Sequence, residues 1–215
     1  PCSIEMPAAG PVAPSVRDRA RFYLARIGYQ RGYHEEALRN LSLIQQPLVG
    51  KLEPERRLLE ANVLMSLGRH AEAAAKLEAW NDKSSWSNYA RFNLGVALVR
   101  AGQPERGRVL LDQVGALAAT DEEQASLRDR ANLALGFAML QQAGSGDPTA
   151  VLSRVRLDGP FTNQALLALG WAETNADRPE RALVPWLELQ DRKLLDASVQ
   201  ESLIAVPYAY VRLAS

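Results

Sequence analysis

The sequence predicts an all-α chain, a right-handed α-solenoid of antiparallel helix pairs. Three observations carry this. Glycines recur at a fixed interval: Gly68 to Gly102 and Gly136 to Gly170 are each 34 residues apart (102 − 68 and 170 − 136). Apolar residues recur at helical spacing on both sides of each turn signal. A phrase also repeats, in which Leu-Gly leads to a turn and then to a large apolar residue: Leu94-Gly95…Ala101-Gly102…Leu111 and Leu169-Gly170…Ala176-Asp177…Ala182…Trp186. Looser copies are Leu67-Gly68…Ala73…Leu77 and Gly32…Ala37…Leu41. A repeat of this length describes stacked units that bury their apolar faces on neighbours rather than in one central core.

The elements follow in order. An extended Pro/Ala-rich segment covers 1–14, and repeats cover 15–215 as about five helix pairs plus a final single helix. The first helix opens near Ser15, with Ser15-Val16-Arg17-Asp18 as an imperfect capping box. Its apolar positions are Ala20, Phe22, Tyr23, Leu24 and Ile27; Gly28 and Gly32 loosen its end, and a partner helix runs from His34 to Ile44. Glu53-Pro54 opens the second unit, with proline where a helix start tolerates it. Ala71 to Trp80 is its second helix, and Asn81 to Ser85 is a polar loop. The third unit spans about Trp86 to Ala119 around the turn Ala101-Gly102-Gln103-Pro104. The fourth opens on Thr120-Asp121-Glu122-Glu123 as a capping box; the turn Gly144 to Pro148 is longer than the others, and a short second helix follows over about 148–155. The fifth spans about Gly159 to Lys193, with Pro185 expected to remove one backbone bond from its second helix. Ser198-Val199-Gln200-Glu201 caps a last helix that carries Pro207.

Composition narrows the function classes. The chain has 215 residues, and its 25 basic and 25 acidic side chains balance to zero net charge, which disfavours nucleic acid as a partner. No apolar run is long enough for a membrane span, so no direct insertion is expected. Cys2, the single cysteine, offers neither an internal disulfide nor a cysteine zinc site; lipid modification near a mature N-terminus is the functional alternative to a plain loop thiol. The absence of an initial methionine and the abrupt last helix suggest a segment of a longer protein.

These residues resemble the tetratricopeptide repeat family over about Ser15 to Ser215. The departures are Ala25 and Ala61 in place of a first-helix glycine, Asp177 in place of the fifth turn glycine, and an insertion in the fourth unit. Small residues let paired helices approach closely, and a Gly170→Leu change is expected to cost on the order of 1–3 kcal/mol by over-packing. The Ala/Leu/Arg-rich wording is similar to repeat segments of exported Gram-negative envelope proteins, which implies a periplasmic or envelope location.

Chemistry within the chain is not expected. His34 and His70 each stand two residues after a turn glycine, where Pro104 and Pro179 stand in other units, and so read as helix-start residues. No zinc-protease, Cys-x-x-Cys, phosphate-loop or nucleophile-elbow pattern occurs. Acidic residues beside arginine, as in Arg17-Asp18-Arg19 and Arg128-Asp129-Arg130, read as solvated faces. No catalytic residue, metal or cofactor is assigned.

The resemblance implies that the first helix of each pair lines a concave surface. Counting back from the turns places the candidate partner-binding residues Phe22, Arg26, Tyr29, Asn62, Met65, Tyr89, Phe92, Arg100, Phe137, Gln141, Trp171 and Asn175 there, beside Arg19, Gln30, Ser66, Val96, Arg130 and Gln164. Aromatic and Arg/Asn/Gln side chains suit a groove for a peptide or partner protein. The function expected is a protein-interaction scaffold within a larger assembly. The alternatives are a regulatory or substrate-recruiting arm of an enzyme or glycan-handling envelope machine whose active part lies outside this segment, and binding of a glycan or small ligand in the groove.

Overall fold

The structure is a computed structural model that describes residues 13–81, 85–142, 144 and 146–214. Cys2, nearly all of the expected extended segment 1–14, the middle of the 81–85 loop and Ser145 lie outside the described residues. Those residues form eleven helices and no strand. In chain order they are α1 (Pro14–Gln30), α2 (His34–Ser42), α3 (Leu52–Ser66), α4 (His70–Glu78), α5 (Ser87–Arg100), α6 (Pro104–Gly115), α7 (Glu122–Leu140), α8 (Thr149–Leu152), α9 (Thr162–Asn175), α10 (Pro179–Gln190) and α11 (Ala197–Ala214). The chain is thus all-α, a helical repeat of solenoid type. It divides into two compact units, one up to Asn93 and one from Leu94 onward. In the first, α1 packs on α2 and α3, and α3 packs on α4. In the second, α6 packs on α7, α7 on α8 and α9, and α11 on both α9 and α10.

One turn geometry recurs four times. Gly32, Gly68, Gly102 and Asp177 all adopt the left-handed conformation, with φ of 82°, 73°, 81° and 58°. Each is followed by a residue whose N–H reaches back across the helix end: Tyr33 to the Gly28 carbonyl, Arg69 to Leu64, Gln103 to Leu98 and Arg178 to Glu173, at 2.8–2.9 Å. This pairing satisfies carbonyls that a helix end otherwise leaves open. Asp177 is the one residue of the four with a Cβ, tolerated because a short polar side chain visits this region at modest cost. The second helices then start at His34, His70, Pro104 and Pro179. Both histidines therefore hold the helix-start place that proline holds elsewhere.

Close packing sets a second register. Ala25, Ala61, Gly95, Gly136 and Gly170 are buried on the first helices, and sixteen residues after each stands Leu41, Leu77, Leu111, Leu152 or Trp186, all buried on the second. A Cβ at Gly95 would lie 2.9 Å from Leu111, at Gly136 2.3 Å from Leu152, and at Gly170 2.1 Å from Trp186. The pairs that carry alanine meet only leucine. Gly107 occupies the place of Ala37, Ala73 and Ala182, twelve residues after the small residue, and a Cβ there would stand 2.6 Å from the Gly95 carbonyl oxygen.

This register corrects the expected insertion in the turn of the fourth unit. Gly136 to Leu152 keeps the same sixteen residues, so nothing is inserted between them. The extra residues fall earlier, between Gly95 and Gly136, which are 41 apart (136 − 95) rather than 34, in the linker and the long α7. What the fourth unit lacks is helix: α8 has four residues where the other second helices have nine or twelve.

Three capping assignments also change. α1 has Ala13 as N-cap and Pro14 in its first turn, with no side-chain cap. At α7 the N-cap is Asp121, which accepts from the Gln124 N–H at 2.8 Å, one residue later than expected. At α11 the Ser198 N–H is taken by Asp196 at 2.8 Å, while Ser198 itself is buried.

The Arg-Asp-Arg segments are corrected as well. Asp18 and Asp129 are buried, not solvated. Each stands seven residues before its small residue and receives backbone N–H groups from the chain leaving the second helix. Asp18 accepts from Gln45 and Gln46, both at 3.2 Å, and Asp129 from Arg156 at 3.4 Å. Asn163 holds the same place in the fifth unit and accepts from Arg192 at 3.1 Å. The residue thus ties the exit of one helix pair to its own first helix.

Glu53 does comparable work in the first turn of α3. Burial pushes its carboxyl up, but two hydrogen bonds from Arg56 (2.6 and 2.9 Å), the Leu48 N–H (2.9 Å) and the charges of Arg56 and Arg57 outweigh this, leaving it below its ordinary value of 4.5. A carboxyl lowered on folding contributes stability above its unfolded value, and that contribution disappears as pH falls through the folded value. Lowering the pH below 4.5 should therefore reduce the urea midpoint of wild type more than that of Glu53→Gln, measured by circular dichroism at paired pH values.

Candidate partner-binding faces

Eleven of the twelve candidate residues lie on first helices and Gln141 is the C-cap residue that follows α7; the structure sorts them by their distance from the small residue. Three positions before it stand Phe22 and Phe92, both buried, in line with Leu58, Leu133 and Leu167. Phe22 belongs to the core formed with Ala37, Leu41 and Val63. These two rings hold their units together and present no surface to a partner.

One position after the small residue stand Arg26, Asn62, Phe137 and Trp171. Three of them reach the next first helix of their own unit. Arg26 lies 3.8 Å from Glu55, with its guanidinium 5.0 Å from the Tyr23 ring centroid. Asn62 accepts from the Asn93 amide at 3.0 Å. Trp171 donates its Nε1–H to Glu201 at 2.9 Å, packs edge-on against Trp186 at 5.0 Å, and meets Tyr208 at 5.9 Å. Trp171 is therefore half-buried and committed to binding α9 to α10 and α11. Phe137 is 38% exposed, the freest aromatic of the set.

Further along, Tyr29 and Met65 are half-buried, and the Tyr29 ring lies 5.4 Å from His34. Tyr89 is half-buried with its ring 5.9 Å from Trp86. Arg100, Gln141 and Asn175 all stand five places after their small residues, and all are exposed. The first unit thus offers Arg26 with the half-buried Tyr29, Asn62, Met65 and Tyr89. The second offers Arg100, Phe137, Gln141 and Asn175.

The exposed polar groups are largely paired with one another. Arg178 is held strongly protonated by Glu173, and Arg156 by Glu122 and then Asp129. Among the described residues no group of three His, Cys, Asp or Glu side chains could hold a metal ion, and no helix is long and apolar enough to cross a membrane.

Counting along first helices alone missed two things. The buried Asp18 and Asp129 are visible in the sequence as a matching Arg-Asp-Arg phrase at a constant distance from Ala25 and Gly136. The grooves between successive second helices become legible only when the units are aligned on their small residues.

Comparison with known proteins adds one finding. Residues 64–133 match the model of a tetratricopeptide repeat family, from the end of α3 through α6 and into α7. No curated protein matches the chain.

Proposed function

Because this chain is a tetratricopeptide repeat protein, a class whose repeats mediate protein–protein interactions, we propose that it is a scaffold that binds a peptide segment or partner protein along its first-helix faces. The repeats extend on this reading from the matched residues 64–133 to 15–215, as five helix pairs and a final helix. The scaffold works within a larger assembly and performs no chemistry of its own. The observation that carries the reading is the exposure of Arg100, Gln141 and Asn175 at a repeat position that the packing of the pairs does not use, together with the exposure of Phe137. Exposed aromatic and amide-bearing side chains on rigid helices combine contact area with backbone hydrogen bonding at low entropic cost.

A photo-crosslinking amino acid at Phe137 tests this in the native host. It should trap a discrete protein adduct, while the same probe at Val49, an 84% exposed loop position, should not. Phe137→Ala together with Arg100→Ala should weaken the trapped complex about tenfold or more, with helical signal unchanged. Equal adduct from both sites would sink the proposal.

A further inference from the structure

Aligning the units on their small residues shows one groove built twice with opposite chemistry. In the first unit it lies between α2 and α4, floored by α3, with a volume of about 680 Å³. Its floor is charged: Arg56 and Lys76 both bond Glu60, at 3.1 and 2.8 Å, and Arg57 donates to the Ala79 carbonyl at 2.8 Å while stacking on Trp80 at 4.8 Å. The protein's own ion pairs run along the floor of this groove and up to its α4 rim.

The equivalent groove in the second unit lies between α8 and α10, floored by α9, with a volume of about 800 Å³. The charges that line the floor of the first groove have no counterpart here, and Glu173, Glu188 and Arg192, which also line this second groove, are held by ion pairs of their own. Ala165, Leu166 and Leu169 stand where Arg56, Arg57 and Glu60 stand, and Val184 and Pro185 replace Ala75 and Lys76. Val184 is 72% exposed and Leu157, on the opposite rim, is 65% exposed. Leaving apolar surface of this kind in water is unfavourable by roughly 25 cal/mol for each Å².

We propose that this second groove docks a helical segment of a partner protein, apolar on one face and about three turns long, running antiparallel to α10. Length and direction come from the charges at its ends. Arg181 and Asp191 both line it, and among the described residues neither side chain has an ion-pair or hydrogen-bond partner. They stand ten residues apart (191 − 181) along α10 and the residue that follows it, about 15 Å on a helix. A docked helix with its positive N-terminal end at Asp191 and its negative C-terminal end at Arg181 satisfies both. This surface is separate from the first-helix faces proposed above, and its test does not depend on them.

The test uses the whole chain and a fluorescein-labelled, staple-constrained helix of about three turns, with leucines on one face and glutamates in its last turn. Fluorescence anisotropy should show saturable binding. Val184→Glu should weaken it about tenfold or more, while the equivalent Ala75→Glu in the first unit leaves it unchanged. Arg181→Glu should shift preference to a probe with lysines in the last turn. Val184 is exposed enough for both variants to be checked as folded by circular dichroism. Absence of saturable binding, equal loss from Ala75→Glu, or indifference to Arg181→Glu overturns the proposal. So does self-association that Val184→Glu abolishes in sedimentation, which assigns the groove to a second copy. Displacement of an apolar dye without any helix binding overturns it too, in favour of a small apolar ligand.

Discussion

Gly170→Ala should destabilise the second unit by about 2 kcal/mol, even though alanine is the better helix former by about 1 kcal/mol. The added methyl would sit 2.1 Å from Nε1 and 2.2 Å from Cε2 of Trp186. That ring cannot retreat. It is fully buried, donates its N–H to the Leu167 carbonyl at 3.1 Å and is braced edge-on by Trp171. Displacing it strains the core and costs a buried hydrogen bond, on the order of 1–3 kcal/mol for each effect. The larger Gly170→Leu should exceed the range expected from sequence. The chain itself supplies a rescue, because Ala25 faces Leu41 and Ala61 faces Leu77 at the same repeat positions. Gly170→Ala combined with Trp186→Leu should recover much of the loss. Urea denaturation followed by circular dichroism reads all three variants, and a double mutant no better than Gly170→Ala would refute the packing account.

Asp129→Ala should cost about 2 kcal/mol by removing the buried acceptor of the Arg156 backbone N–H and Nε–H. Asp129 receives Arg156 Nε at 2.6 Å and the Arg156 N–H at 3.4 Å, which fixes the chain between α8 and α9. Glu122, which also binds Arg156 at 2.8 Å, is largely exposed, so Glu122→Ala should leave the denaturation midpoint almost unchanged. Amide hydrogen exchange in 153–162 separates the two variants: protection should fall with Asp129→Ala and persist with Glu122→Ala. Loss of protection in both would show that the exposed pair carries the linkage.

The contrast between these two carboxylates also marks how far the sequence could be read. Both sit on α7, Asp129 between two arginines and Glu122 in the acidic first turn, and helical spacing alone assigns neither to the interior. Burial depends on what the following unit brings over them, which helical periodicity does not encode. The same holds for Trp171. As an aromatic on a first helix it looks available, yet Glu201 and Tyr208, at least thirty residues later, occupy it. Phe22 and Phe92 fall on the counted face and still turn inward, because a first helix packs against two neighbours and its apolar arc is wider than one seam. By contrast, the turn glycines were legible one by one. A left-handed φ is a local requirement, and Gly32, Gly68 and Gly102 announce it in the sequence.

By itself the sequence determined what depends on spacing and local conformation: paired helices, their turns, the close-packed small residues and the helix-start role of His34 and His70. These follow from one residue's backbone or from contacts sixteen residues apart within a pair. Tertiary structure decided which polar groups are interior, which aromatics remain available, and which of two equivalent grooves is floored by charge. Those outcomes depend on the side chains that another helix pair places opposite, and no period within a single pair records them.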